Sequence, residues 1–106
     1  MLTASDYQRV FKRGRKYRGE YFTLISCAND CAHARLGLAI AKRFVPLAVD
    51  RNRIRRIIRE SFRLYQGVLI GLDIVVLGQK ELQSIPNSAL YEDLHRQWRL
   101  MSPPLC

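Results

Sequence analysis

The chain has 106 residues, 48% of them apolar and 25% charged, with eighteen Lys and Arg against nine Asp and Glu for a net charge of +9. That length provides for one hydrophobic core, burying roughly two-thirds of the surface of the extended chain, and the apolar share excludes intrinsic disorder and low complexity. The excess of cations, most of them arginine, points to a polyanionic partner, because a guanidinium can grip phosphate bidentately and stack on bases where lysine acts as a point charge.

The charge is also lopsided. Residues 1–66 hold 15 basic and 5 acidic side chains, whereas residues 67–106 hold 3 and 4. Charge that served only solubility would be spread evenly, so the ligand-facing surface is expected from the first two-thirds.

In chain order, Ser5 followed three residues later by Gln8 reads as a capping box, after which Tyr7, Val10 and Phe11 share one helical face and Gly14 ends a short first helix. A basic connector, Arg15-Lys16-Tyr17-Arg18-Gly19, leads into a strand from Tyr21 to Ser26, rich in aromatic and β-branched residues. Asn29-Asp30 marks a turn. Arg35 to Ala41 reads as a second strand with bulky Leu36, Leu38 and Ile40 on one face and nearly bare Gly37, Ala39 and Ala41 on the other. Pro46 precedes a long helix over residues 48–66, closed by Gly67.

Leu72 to Leu77, between Gly71 and Gly78, is the apolar run of a central strand covered on both faces. A last helix after Pro86 and Asn87 turns Leu90, Leu94, Trp98 and Met101 inward, with Glu92 and Asp93 early and Arg96 and Arg99 late to suit the helix dipole. The order α-β-β-α-β-α predicts an α+β sandwich, a single domain over 1–106, with three helices and about four strands once an extra short one is counted. The pairing order of the strands is not readable.

The long helix carries the sharpest signal. At 100° per residue, Ile54, Ile57, Ile58, Ser61, Phe62 and Tyr65 gather on a core face, while Asn52, Arg55, Arg56, Arg59 and Arg63 form a stripe roughly opposite, flanked by Arg51 and Arg53. Like charges this dense repel each other by a few tenths of a kcal/mol per i,i+4 pair, and a merely solvated face would alternate signs. The stripe is a phosphate-binding surface that DNA, RNA or lipid would satisfy.

Cys27, Cys31 and Cys106 are an odd number without a paired framework, which fits a reducing cytosol. There is no signal-peptide pattern and no apolar run approaching the ~20 residues needed to cross a bilayer, so a cytoplasmic protein is expected. Cys27-x3-Cys31-x-His33 has spacing unlike common zinc sites, and His33 and His95 show no sign of converging. Neither a metal ligand set nor a catalytic residue is expected in the protein itself. A basic helix lying on an anionic membrane is a rival reading, but its apolar face is needed for the core.

The run Ala48-Val49-Asp50-Arg51-Asn52-Arg53-Ile54-Arg55-Arg56-Ile57-Ile58-Arg59-Glu60-Ser61-Phe62-Arg63 resembles the signature helix of the bacterial ribonuclease P protein family. Further likenesses run through Asp6-Tyr7-x-x-Val10-Phe11-x-x-Gly14, through Arg35-Leu36-Gly37-Leu38 to Ala41-Lys42-Arg43, and through Asp73-Ile74-Val75-Val76. The resemblance implies the ribosomal protein S5 domain 2-like fold and an accessory subunit of an endoribonuclease. Such a subunit binds a large catalytic RNA and the 5′ leader of precursor tRNA, with Mg²⁺ held mostly by RNA and no protein oligomer required.

It further implies that Arg51, Asn52, Arg53, Arg55, Arg56, Arg59 and Arg63 face the catalytic RNA. Tyr7, Phe11, Thr23, Ile25, Lys42 and Arg43 would serve the leader. Unpaired bases can stack on aromatic rings, and the Gly37-Ala39-Ala41 face leaves room for a strand of RNA; the plain alternative for Tyr7 and Phe11 is core packing, and for Lys42 and Arg43 edge protection. The chain departs from the family pattern in lacking a basic segment before the first helix, in Ala41 where serine is common, and in Phe44-Val45-Pro46 where glycine is frequent. A non-enzymatic, ribosomal-type RNA-binding protein is the alternative.

Overall fold

A computed structural model describes residues 2–29, 33–78 and 80–101. The chain runs α1 (Ala4–Arg13), β1 (Arg15–Arg18), β2 (Thr23–Ala28), β3 (Arg35–Ile40), α2 (Ala48–Tyr65), β4 (Leu72–Gly78) and α3 (Asn87–Met101). The strands form one sheet in the order β1-β2-β4-β3, antiparallel except for the β3–β4 pair. This is the expected α+β sandwich of three helices and four strands.

The sheet is covered on both faces, which explains the apolar run of β4, its innermost strand with β2. Ile74 and Val76 face α2 and α3 in the larger core with Leu24, Ile40, Ile54, Ile58, Leu90, Leu94 and Trp98. Val75 faces α1 in a smaller cluster with Leu2, Val10 and Ile25. Between α2 and α3, the Trp98 indole N–H donates to Ser61 Oγ at 2.7 Å, so the one hydroxyl on the core face of α2 is used.

Several local expectations are corrected. The helix α1 is capped by Thr3, not Ser5: the Asp6 N–H donates to Thr3 Oγ1 while the Thr3 N–H donates to Asp6, a capping box two residues earlier. The basic connector is itself a strand. β1 pairs with β2 in the register Lys16 with Ile25 and Arg18 with Thr23, and its charged residues suit an edge strand that must not recruit another chain. Gly14 does end α1, but in an extended conformation. A Cβ there would lie 2.3 Å from the Val10 carbonyl oxygen and 2.4 Å from an Ile25 methyl, so close approach is what requires glycine. The glycine with positive φ is Gly71, at 85°, turning the chain into β4. Asp93 is not a surface charge complementing the dipole: it is fully buried and accepts the main-chain N–H groups of Glu20, Tyr21 and Phe22 at 3.0–3.1 Å. Asp30, Cys31 and Cys106, and with them part of the expected turn and cysteine–histidine cluster, lie outside the described residues.

Candidate nucleic-acid interface

The core face of α2 lies where its periodicity puts it, with Ile54, Ile57, Ile58 and Ser61 buried, and the opposite face is accordingly open to solvent. Asn52, Arg56, Arg59 and Arg63 are exposed, and Arg55 is half-buried with its Nη1 3.3 Å from Asn52 Oδ1. Arg51 and Arg53 differ from this group. Leu47 provides no side-chain cap for α2, and Arg51 Nη1 instead donates to the carbonyl oxygens of Val45 and Pro46 at 2.9 and 2.7 Å, fixing the approach to the helix. Arg53 reaches across to Asn87 and to the Gln83 carbonyl at 3.1 Å, tying α2 to the segment before α3. Both guanidinium groups hold loops in place at the start of the exposed stripe.

A second region forms on the opposite face of the sheet. Phe11, 46% exposed on α1, overhangs a cavity of about 550 Å³ whose floor is Thr23, Ile25 and Leu77 and whose rim carries Lys16, Arg18, Gly19 and Lys80. Lys16 and Arg18 reach it because they stand directly opposite Ile25 and Thr23 in the ladder. Three cations, an aromatic ring and an apolar floor are the chemistry that suits unpaired bases and their phosphates. Phe11, Thr23 and Ile25 are thus brought together, as the family resemblance implied. Lys16, Arg18, Leu77 and Lys80 were missed, and the signal for the first two was the alternation of β1 hidden in a run of charges.

Tyr7 stands one turn before Phe11 on the same face of α1, its ring 6.4 Å from that of Phe11 and inclined by 25°. Its hydroxyl accepts the N–H of Leu38 at 3.1 Å, and a Cβ on Gly37 would come within 2.6 Å of it. The bare face of β3 therefore does not leave room for RNA at Gly37; the Tyr7 ring fills it. Tyr7, Leu36, Gly37, Leu38, Arg55 and Arg59 line a separate groove of about 350 Å³ where the arginine face meets α1. Lys42 and Arg43 are exposed beyond β3, beside the end of β4, and do not line the cavity beneath Phe11; the Arg43 guanidinium lies 4.9 Å over the Phe44 ring.

Two buried carboxylates hold the surrounding framework, Asp93 beside the cavity and Asp73 at the other end of β4. Asp93 holds the β1–β2 connection, where a Cβ on Gly19 would strike its oxygens at 2.6 and 2.7 Å. Asp73, fully buried on β4, takes the Arg35 guanidinium in a fork of two 2.7 Å contacts, Asn29 Nδ2 at 2.6 Å, and Arg9 of α1. Burial pushes the Asp73 carboxyl up, but the bonds from Arg35 and Asn29 and the charges of Arg35 and Arg9 outweigh it and hold it below the usual carboxylate range. His95 lies between the rings of Tyr65 and Tyr91, and burial, with a smaller contribution from the Arg99 charge, lowers its pKa. His33, far from it in the chain, is exposed. Among the described residues, no group of three His, Cys, Asp or Glu side chains is placed to hold a metal ion.

The chain matches the family model described as Ribonuclease P over residues 1–102. It is 41% identical over 104 residues to the ribonuclease P protein component of Vibrio cholerae, spanning 98% of this chain and 88% of that one. It is 41% identical over 98 residues to that of Nitrosococcus oceani, spanning 92% and 82%. Among solved structures it is similar to the RNase P protein of Staphylococcus aureus, with a TM-score of 0.86 at 27% identity over 94% of this chain and 92% of that one. It is likewise similar to the RNase P protein of Thermotoga maritima, with a TM-score of 0.84 at 29% identity over 97% of both.

Proposed function

The chain belongs to the ribonuclease P protein family, and from that premise we propose a division of labour between its two RNA-facing regions. As a member it is the protein subunit of an endoribonuclease that matures the 5′ end of tRNA, and its partner is the RNA of ribonuclease P. The whole chain acts as one RNA-binding domain in the cytoplasm. The outer face of α2, with Asn52, Arg55, Arg56, Arg59 and Arg63, lies against the phosphate backbone of that RNA. Arg51 and Arg53 serve the same contact from its base, holding the helix in register and leaving part of each guanidinium edge for phosphate.

The cavity beneath Phe11 takes the single-stranded 5′ leader of precursor tRNA. The observation that carries this reading is the combination found there: a half-exposed aromatic ring, an apolar floor and three cations, with no acidic residue among its lining. Unpaired bases stack on Phe11 and pack on Ile25 and Leu77 while Lys16, Arg18 and Lys80 screen the leader phosphates. Tyr7 supports the Phe11 ring and guards the β3 edge, and Lys42 and Arg43 extend the positive field at the same end of the sheet.

Hydrolysis of the scissile phosphate is carried by the RNA. The donor sets favour this: the acidic residues of α2, Asp50 and Glu60, stand apart along the helix, and Glu60 accepts the Tyr91 hydroxyl. The residues present do not suit a protein-held Mg²⁺, so the ions of the holoenzyme are held mostly by RNA phosphates, and the protein raises their local affinity by neutralising the backbone nearby. Purified protein added to the catalytic RNA at low Mg²⁺ is expected to restore 5′ processing of precursor tRNA; failure to do so would overturn the assignment.

A further inference from the structure

The contact that holds α1 over the sheet is narrow. Of its ten residues Val10 alone is fully buried, packed with Leu2, Ile25 and Val75, and an isolated helix of this length is not stable in water. Val10 is the pivot, and Tyr7, partly buried on the Phe11 side of it, ties that flank to the Leu38 N–H of β3. On a helix the neighbours of Val10 project about 100° to either side of it. Phe11 lies on one flank, over the cavity floored by Thr23, Ile25 and Leu77. Arg9 lies on the other, over a second groove lined by Arg13, Cys27, Ala28, Asn29 and Arg35.

Arg9 holds the opposite flank against rolling about that pivot. Its guanidinium spans three acceptors on two strands: the buried Asp73 carboxylate of β4, the Ala28 carbonyl at 2.8 Å and Cys27 Sγ at 3.2 Å on β2. Asp73 cannot shift to follow it, because β4 is hydrogen-bonded on both sides, with Cys27 and Arg35 as its ladder neighbours. Asp6, one turn back on α1, adds ion pairs of 3.9 Å to Arg9 and 3.6 Å to Arg35.

We infer that the Arg9–Asp73 ion pair is a positioning element for leader recognition: it sets the roll of α1 about Val10 and thereby the height of Phe11 above the cavity floor. This rests on the leader reading of that cavity. Arg9 itself touches no leader nucleotide. The planar fork is what matters, since a lysine would restore the charge beside Asp73 without reaching all three acceptors.

The test compares the affinity of the assembled holoenzyme for precursor tRNA with its affinity for mature tRNA, in wild type, Arg9→Met, Arg9→Lys and Phe11→Ala. For R9M the ratio is expected to fall roughly three- to ten-fold, less than or comparable to the loss of the stacking ring itself. R9K should recover part of it, with kcat at saturating precursor and affinity for the catalytic RNA unchanged. The salt dependence of precursor binding separates this from a direct phosphate contact: positioning leaves the slope of log K against log salt as it was, whereas a lost phosphate contact lowers it by about one unit. An unchanged ratio in R9M, or a slope reduced by one, overturns the inference. If F11A also leaves the ratio unchanged, the leader reading falls; if F11A lowers it and R9M and R9K do not, the positioning role alone falls. Should R9M fail to fold, a wild-type ratio in R9K overturns the inference, because a lysine fixes the roll less well than the guanidinium fork.

Discussion

The two regions proposed to face RNA are built by opposite means. The arginine face belongs to one helix, its side chains project into solvent, and its chemistry is the sum of their charges. The cavity belongs to α1, β1, β2 and β4 together, and none of its lining residues would form a site without the placement of the others. A surface of the first kind tolerates loss of one member and answers to salt. A site of the second kind answers to packing, and its most sensitive residues need not touch the ligand.

That difference orders the expected effects. The largest is at Asp73, at the junction of α1 with β3 and β4. Asp73→Ala leaves Arg35 and Arg9 facing a buried void without their carboxylate and should lower unfolding free energy by about 3 kcal/mol or more in denaturant titration. A loss near zero would mean that the junction of α1 with β3 and β4 does not depend on this carboxylate. Next, replacing Arg55, Arg56 and Arg59 together by Ala should weaken binding to the catalytic RNA and reduce its salt slope by about two to three units while leaving the melting transition cooperative. Unchanged binding would remove the arginine face from the account. Phe11→Ala should then cost on the order of 1–3 kcal/mol for precursors with a leader and little for mature tRNA.

The smallest effects are pH responses, which fall in separate windows for the two layers. The Asp73 carboxyl is held below its ordinary value in the folded state, so its contribution is complete above the unfolded pKa of about 3.9 and disappears as pH falls through the folded one. His95 is held below its ordinary value too, but as a base: the unfolded chain takes up the proton first, so stability declines as pH drops below about 6.5. Melting temperature followed between pH 7 and 5 should therefore fall in wild type and fall less in His95→Leu, with the cavity side still intact. Identical curves would exclude His95.

How much of this was legible follows from the same contrast. The α2 face could be read directly, because a 3.6-residue period needs only one segment and Ile54, Ile57, Ile58 and Ser61 obey it. The four-element cavity could be read only at Phe11, Thr23 and Ile25, through the family resemblance. Arg15-Lys16-Tyr17-Arg18 looked like a connector because an edge strand is allowed charges that an inner strand is not. Asp93 was assigned to the dipole although it shares the Leu90, Leu94, Gln97 and Met101 face, and that spacing alone could have placed it inside. The partners of Arg51 and Arg53 are largely main-chain carbonyls, of the segment just before α2 and of the one before α3, which no side-chain pattern records.

The central claim is that the arginine face and the cavity are separate RNA sites with separate ligands. It is tested most directly by measuring, in holoenzyme assembled at saturating protein, the ratio of precursor to mature tRNA affinity for Phe11→Ala and for the triple Arg55, Arg56, Arg59 to Ala variant. The account predicts that F11A lowers the ratio while assembly with the catalytic RNA is unaffected, and that the triple variant impairs assembly while the ratio, once assembled, stays at the wild-type value. Parallel loss of both quantities in both variants would contradict it.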